Sequence, residues 1–264
     1  MAEADVVIAW SHGGIPESTH SAFTRPTKFI NLPNPPSWAQ SLADYGYPSP
    51  VRAMIAKYAP GTQPKRVALL GFSASCSAVA QVLSSADGGR VDSVLAIDGV
   101  HTGYSDKVKH VVNANGMKPW FEFAKYAVVN ERLFVDSHSS VVPPDYASTT
   151  ETADWLWNTL TSNSPAFVEP KLPAFDVPPV SVHVSAGPAT GPDRTIDYPA
   201  PAWQPFRRAG GLIILGCDNN DKPWGTADHI YQAKVMLPLA LTKILAPRWN
   251  DMDPNNPGQS CYVG

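Results

Sequence analysis

The stretch Arg66-Val-Ala-Leu-Leu-Gly-Phe-Ser73-Ala-Ser75 constrains this chain more than any other. Residues 67–70 form a continuous apolar run of β type. Gly71-Phe72-Ser73-Ala74-Ser75 then reads as a small-x-Ser-x-small turn. Val79, Val82 and Leu83 recur at helical spacing until Gly88-Gly89 ends the helix. The pentapeptide by itself is a common chance match; the strand before it and the helix after it give it weight. Strand and helix approach closely at such a turn, so small residues must flank the serine held at its apex.

Other apolar runs place this unit in a larger pattern. Residues 5–10, 93–98, 132–135, 181–185 and 211–217 read as strands, and 28–32 as a weaker one closed by Pro33, Pro35 and Pro36. Helical patterns cover 51–58, 120–129, 151–160 and 228–245, the last interrupted by Pro238. Continuous apolar strands alternating with helices predict an α/β fold, a mostly parallel central sheet with helices on both faces. A single domain over 1–250 is expected, with a helical lid region at 99–131 and an irregular tail at 251–264. Residues 162–210, rich in Pro, Gly and Ser, read as an excursion carrying a hairpin.

A length of 264 residues is ample for one such core, and 44% hydrophobic residues with a net charge of −3 describe an ordinary globular chain. No basic face points to nucleic acid and no apolar run reaches membrane-spanning length. No basic segment followed by an apolar stretch opens the chain, so a cytoplasmic location is the expectation. Cys76, Cys217 and Cys261 suit no disulfide framework and read as free thiols.

A serine hydroxyl is a poor nucleophile until a base takes its proton, and the base needs a third group to fix its tautomer. Among seven histidines, His229 lies between the last strand and the final helix, where a base can reach back over the sheet edge. His12, His20, His101, His110, His138 and His183 fall on other connections or inside a strand. Two aspartates compete as the acid. Asp98 closes the strand Ala96-Ile97-Asp98-Gly99, and Asp136 closes the next one; either is also a plausible turn cap. Asp98 is preferred, with Asp136 the competitor, and Asp228 reads as a cap whose side chain points away from the histidine. His12-Gly13-Gly14 follows the first strand directly. Backbone amides at Gly13 and Gly14, with that of Ala74, are the candidate donors for an oxyanion.

In these elements the chain resembles the α/β-hydrolase superfamily: His-Gly-Gly after an early strand, the Gly-Phe-Ser73-Ala-Ser nucleophile elbow, and Ser…Asp…His in that order. The resemblance spans the sheet-forming segments and leaves 162–210 unmatched. It departs in three ways. The family's first two strands are missing or replaced, and Ser75 stands where glycine is usual, leaving a second hydroxyl near the nucleophile. The family's usual acid position falls on Ser139, whereas members that carry the acid one strand earlier match Asp98. The resemblance implies a serine hydrolase with Ser73, His229 and Asp98 as its triad and no metal or organic cofactor. Its substrate would be a small-molecule or polymeric carboxylic ester. An amidase or peptidase, an acyltransferase, and a silent binding protein of the same fold are the alternatives. Asp218, Asn219, Asn220 and Asp221 could gather around calcium but lack the glycine and distal glutamate of a calcium loop, and read as a polar loop. Trp120, Phe121, Phe123 and Tyr126 read as core or lid packing rather than a substrate groove.

Overall fold

Val6, Val7, Ile8, Ala9 and Trp10 are all fully buried although their side chains alternate between two faces, which requires a strand covered on both sides. They belong to β1 (Ala2–Trp10), the first strand of the protein in a computed structural model that describes residues 2–11, 13–33, 48–162, 179–188, 190–198, 203–217, 221 and 224–251. His12, Pro35, Pro36, residues 163–178, 218–220 and 252–264 therefore lie outside the described residues, Cys261 among them.

After β1 come β2 (Thr27–Leu32), α1 (Pro50–Tyr58), β3 (Thr62–Phe72), α2 (Cys76–Leu83) and β4 (Ser93–Ile97). A two-stranded ribbon of β5 (Tyr104–Asp106) and β6 (Val111–Val112) leads to α3 (Ala114–Val128), β7 (Leu133–His138) and α4 (Thr149–Thr161). A hairpin of β8 (Val180–Val184) and β9 (Arg194–Tyr198) follows, then β10 (Trp203–Ala209), β11 (Leu212–Cys217) and α5 (Thr226–Tyr231). The fold is α/β. Its seven-stranded sheet has the order β10-β11-β7-β4-β3-β1-β2, and every pairing is parallel except β10 with β11.

One face of the sheet is covered by α1 to α4, through Met54, Val79, Trp120 and Leu156 among others. The opposite face is covered by the terminal helical run and the β8–β9 hairpin, through Val182, Tyr198, Tyr231, Met236 and Trp249. Three expectations change here. The break foreseen at Pro238 does not occur: helix continues from Thr226 to Asp251. Wide π-type turns at Gln232–Met236 and Ala240–Leu245 re-space the backbone around the missing N–H. The helix foreseen as a lid, α3, is instead a covering layer, because Met117, Trp120, Phe123, Ala124 and Ala127 all face the sheet, with Trp120 stacked on Phe134. Finally, Trp203–Ala209, inside the stretch read as an excursion, is the antiparallel edge of the main sheet. Pro205 is compatible with that edge position and with no central one.

A buried ion pair ties the sheet to the end of the terminal helix. Arg66 in β3 donates to both carboxylate oxygens of Asp5 in β1, at 3.0 and 2.5 Å, and to the carbonyl oxygen of Trp249 at 2.8 Å. Its guanidinium also lies over the Trp249 ring. The bidentate geometry fixes the register of Arg66. The chain leaves β1 for β2 on one side and returns to β3 on the other. The crevice at the carboxyl ends of strands so arranged is where such sheets place their ligands.

Candidate active site

Ser73 follows β3 directly and has φ 57°, a left-handed conformation that a side chain adopts only at a cost. Asp98, directly after β4, has φ 48°. Two neighbouring strands thus end in strained turns that lift a side chain over the sheet edge. The packing beneath leaves little choice: a Cβ on Gly71 would sit 2.8 Å from Cys76 Sγ, and one on Gly99 would sit 2.3 Å from it and 2.5 Å from the Ser73 carbonyl oxygen. The buried Cys76 thiol fills the space that these two glycines leave. The second hydroxyl, Ser75, is structural. Its Oγ accepts from the Phe72 N–H at 3.0 Å and donates to the Trp10 carbonyl oxygen at 2.5 Å, which pins the elbow to β1.

Asp98 reaches His229. Its Oδ2 lies 2.5 Å from Nδ1 of the imidazole, while Oδ1 accepts from the Ser139 N–H at 2.9 Å and from the Thr149 hydroxyl at 2.6 Å. Burial alone would raise the pKa of this carboxyl. The hydrogen bond and charge of His229, with the Ser139 and Thr149 donors, outweigh it and lower the pKa to about 2. Asp98 is therefore an anion at neutral pH. An imidazole that donates Nδ1–H to it leaves Nε2 as the basic nitrogen. His229 sits in the first turns of α5 rather than in the preceding loop, its N–H bonded to the Gly225 carbonyl oxygen at 3.0 Å and its ring stacked on Phe72 with centroids 4.7 Å apart.

Asp228 turns away from His229, to Tyr198 and Ser140, whose hydroxyls donate to its two oxygens. Asp221 clamps the start of α5. Arg194 meets both of its oxygens at 2.6 Å, and the Ala227 N–H donates to Oδ2 at 2.7 Å. The only described member of the polar loop 217–221 with a carboxylate thus has a structural role. Among the described residues no group of His, Cys, Asp or Glu is placed to hold a metal ion.

Asp136 is not brought to the histidine. It lies within β7, fully buried on the face of Phe134, and neither carboxylate oxygen has a hydrogen-bond partner among the described residues. Burial first, then the negative charge of Asp98, push its pKa well above the usual carboxylate range, against the opposing effect of Arg207. A raised folded-state pKa contributes stability that is fully present below the unfolded value, about 3.9, and is lost as pH rises through the folded one. Within that window the loss is about 1.4 kcal/mol per pH unit. Asp136→Asn is therefore expected to melt with a smaller decline between pH 4 and pH 9 than the wild type. Circular dichroism melts across that range test this, and parallel slopes for the two proteins would contradict it.

The loop after β1 holds Gly13 and Gly14 at φ 85° and 72°. The Gly14 N–H, foreseen as an oxyanion donor, is engaged instead with the Ser11 carbonyl oxygen at 3.2 Å, because the loop closes on itself as a turn. The next amide, Ile15, is also taken, by Asn31 Oδ1 at 2.9 Å. Gly13 and Ala74 remain as candidate donors; Ala74 lies in the first turn of the helical segment after β3, where N–H groups have no intrahelical partner.

Ser73, Asp98 and His229 line one cavity of about 190 Å³ with His101, Val141 and Tyr146. Burial lowers the pKa of His101 to about 4, more than the charge of Asp98 restores, so it is neutral there. Sequence reading missed Thr149, Ser139 and His101. A signal for the first was present: Ser148-Thr-Thr-Glu151 is a capping box whose two reciprocal bonds form, setting Thr149 as the first residue of α4. The position where family resemblance sought the acid, Ser139, gives a backbone donor to the acid instead. The other histidines stand apart: His20 stacks on Phe29, His110 pairs with Glu151, His138 is bonded to Thr150, and His183 lies near Asp193.

Comparisons with protein-family models, with curated proteins and with solved structures find no match. No helix among the described residues is long and apolar enough to cross a membrane.

Proposed function

We propose that this chain is a serine hydrolase of the α/β-hydrolase fold that cleaves a carboxylic ester through an acyl-enzyme. The observation that carries the reading is the Asp98–His229 pair at 2.5 Å sharing a cavity with Ser73 at its strained elbow. Those are the parts that acyl transfer needs: a nucleophile, a base in the right tautomer and an anion that orients it.

In the proposed cycle, Ser73 Oγ attacks the ester carbonyl carbon as His229 Nε2 takes the hydroxyl proton. Asp98 keeps Nδ1–H in place and stabilises the imidazolium. The oxyanion rests on the N–H groups of Ala74 and Gly13, each such donor contributing roughly 3–4 kcal/mol to the transition state. Collapse breaks the bond to the alcohol oxygen, which leaves with the proton from His229. Water then attacks the acyl-enzyme, giving its proton to Nε2, and Ser73 regains a proton as the carboxylic acid departs.

Fluorophosphonate labelling tests the reading directly. One adduct per chain is expected, mapped by peptide mass to Ser73 and absent after heat denaturation. A protein that stays unlabelled, or one labelled equally at scattered serines, would rule the reading out.

A further inference from the structure

The cavity at Ser73 is small, and what surrounds its mouth says which part of a substrate lies outside it. At about 190 Å³ it falls below the roughly 300–1,000 Å³ of pockets that enclose a drug-sized ligand. It has room for a reacting ester group and a short chain. Any larger portion of the substrate must rest on the rim.

That rim is apolar on one side. Val142 and Trp224 are exposed, at 70% and 43%, and each lies within two residues of one that lines the cavity. Val142 lies between the cavity-lining Val141 and Pro143, in the segment Val141-Val142-Pro143-Pro144 that carries no hydrogen-bonding side chain. Trp224 is adjacent in space, because its neighbour Gly225 packs on Val141: a Cβ on Gly225 would sit 3.1 Å from Val141 Cα. The Trp224 ring is seated on Gly191, where a Cβ would meet the ring at 2.5 Å. Trp224 is thus backed by the β8–β9 hairpin with part of its surface left to solvent. Single exposed apolar residues are ordinary, but two whose backbone neighbours pack together beside a reactive cavity offer a surface with a use.

The ledge also has a side. Gly225 caps α5, and its carbonyl oxygen bonds the His229 N–H one helical turn later. Trp224 therefore precedes the cap of the helix that carries the histidine, and Val142 follows Val141, which lines the same cavity as His229. In the proposed reaction His229 delivers a proton to the departing alcohol oxygen, so the alcohol portion of the ester lies on this side of the cavity. Resting on the ester hydrolase reading above, we infer that the substrate joins a short acyl group to a bulky apolar alcohol, aryl or long-chain, which lies on the Val142–Trp224 ledge. An ester with a small alcohol gains little from this surface, because the ledge offers mainly apolar burial.

An ester matrix tests the inference: acetate, butyrate and octanoate acids, each as the methyl, hexyl and 2-naphthyl ester, with kcat/KM measured for each. The wild type is expected to prefer naphthyl over methyl acetate by more than their intrinsic reactivity with hydroxide, and acetate over octanoate within each alcohol. Trp224→Ala and Val142→Ser should each lower the naphthyl-to-methyl ratio about tenfold, the scale on which apolar contacts discriminate substrates. Val142→Ser changes only an exposed side chain, so its result stands if Trp224→Ala loosens the hairpin. Unchanged ratios in both variants, or a preference for octanoyl esters of small alcohols, would overturn the ledge while leaving the hydrolase reading intact. A protein that turns over no ester in the matrix and leaves Ser73 unlabelled by fluorophosphonate would remove both.

Discussion

Ser73→Ala is expected to lower the turnover of activated esters by a factor on the order of 10⁶, while the protein folds and melts as the wild type does. Removing the nucleophile of a working triad costs about that much, and what survives reflects the oxyanion donors and substrate binding. The structure gives a reason to expect intact folding. Ser73 is left-handed at φ 57°, and alanine meets the same backbone cost as serine there. The hydroxyl that holds the elbow together belongs to Ser75, through Phe72 and Trp10, and is untouched. A p-nitrophenyl acetate assay beside a thermal melt provides the measurement. A variant retaining more than about one per cent of wild-type turnover would place the nucleophile elsewhere.

The second large effect is expected at Asp98. Asp98→Asn keeps the shape of the side chain but removes the anion and gives Nδ1 of His229 an amide in place of one carboxylate oxygen. The imidazole then loses the partner that sets its tautomer, and turnover should fall by about 10⁴-fold. Stability should change as well. The folded carboxyl is lowered to about 2, so it contributes stability that is present above the unfolded value of about 3.9 and is lost as pH falls towards 2. The asparagine variant should therefore be less stable than the wild type at pH 7, with the gap narrowing below pH 4. Asp136→Asn is the control, expected to retain turnover within a few-fold because Asp136 makes no contact with His229. The opposite pattern, a crippled Asp136 variant and an active Asp98 variant, would move the acid one strand along.

Much of this geometry is legible in the residues because local constraints agree. The elbow can be read because only small groups fit where β3 meets α2, and Gly71, Ala74, Ser75 and Cys76 are all small. His229 and the two candidate acids, Asp98 and Asp136, can be read from their places near the ends of apolar strands; which aspartate meets the histidine depends on packing. The rest depends on long-range packing that no local pattern encodes. Thr149 and Ser139 are brought to Asp98 across 51 and 41 residues; the capping box marks Thr149 as a helix start but does not say which carboxylate it meets. The Gly14 amide was lost to a turn because His-Gly-Gly permits both a closed turn and an open donor pair. The α3 aromatics allowed core or lid packing, and the helical face of Trp120 and Phe123 against Phe134 of the central sheet makes them core. β10 was hidden by its proline: a strand broken by Pro205 looks irregular until an edge position makes that proline harmless.

The distance along the chain between Asp98 and its histidine, 131 residues, has a consequence in time. Translation at about 5–20 residues per second delivers His229 roughly 7–26 s after Asp98, and the nucleophile precedes both. Throughout that interval the emerging polypeptide carries a serine and a carboxylate with no imidazole between them. On the proposed reading, the elbow serine then lacks the base that would activate it. Later segments supply α5 and then the Trp249 carbonyl that Arg66 holds. The imidazole that Asp98 holds and the carbonyl that Arg66 holds thereby arrive close together in the chain.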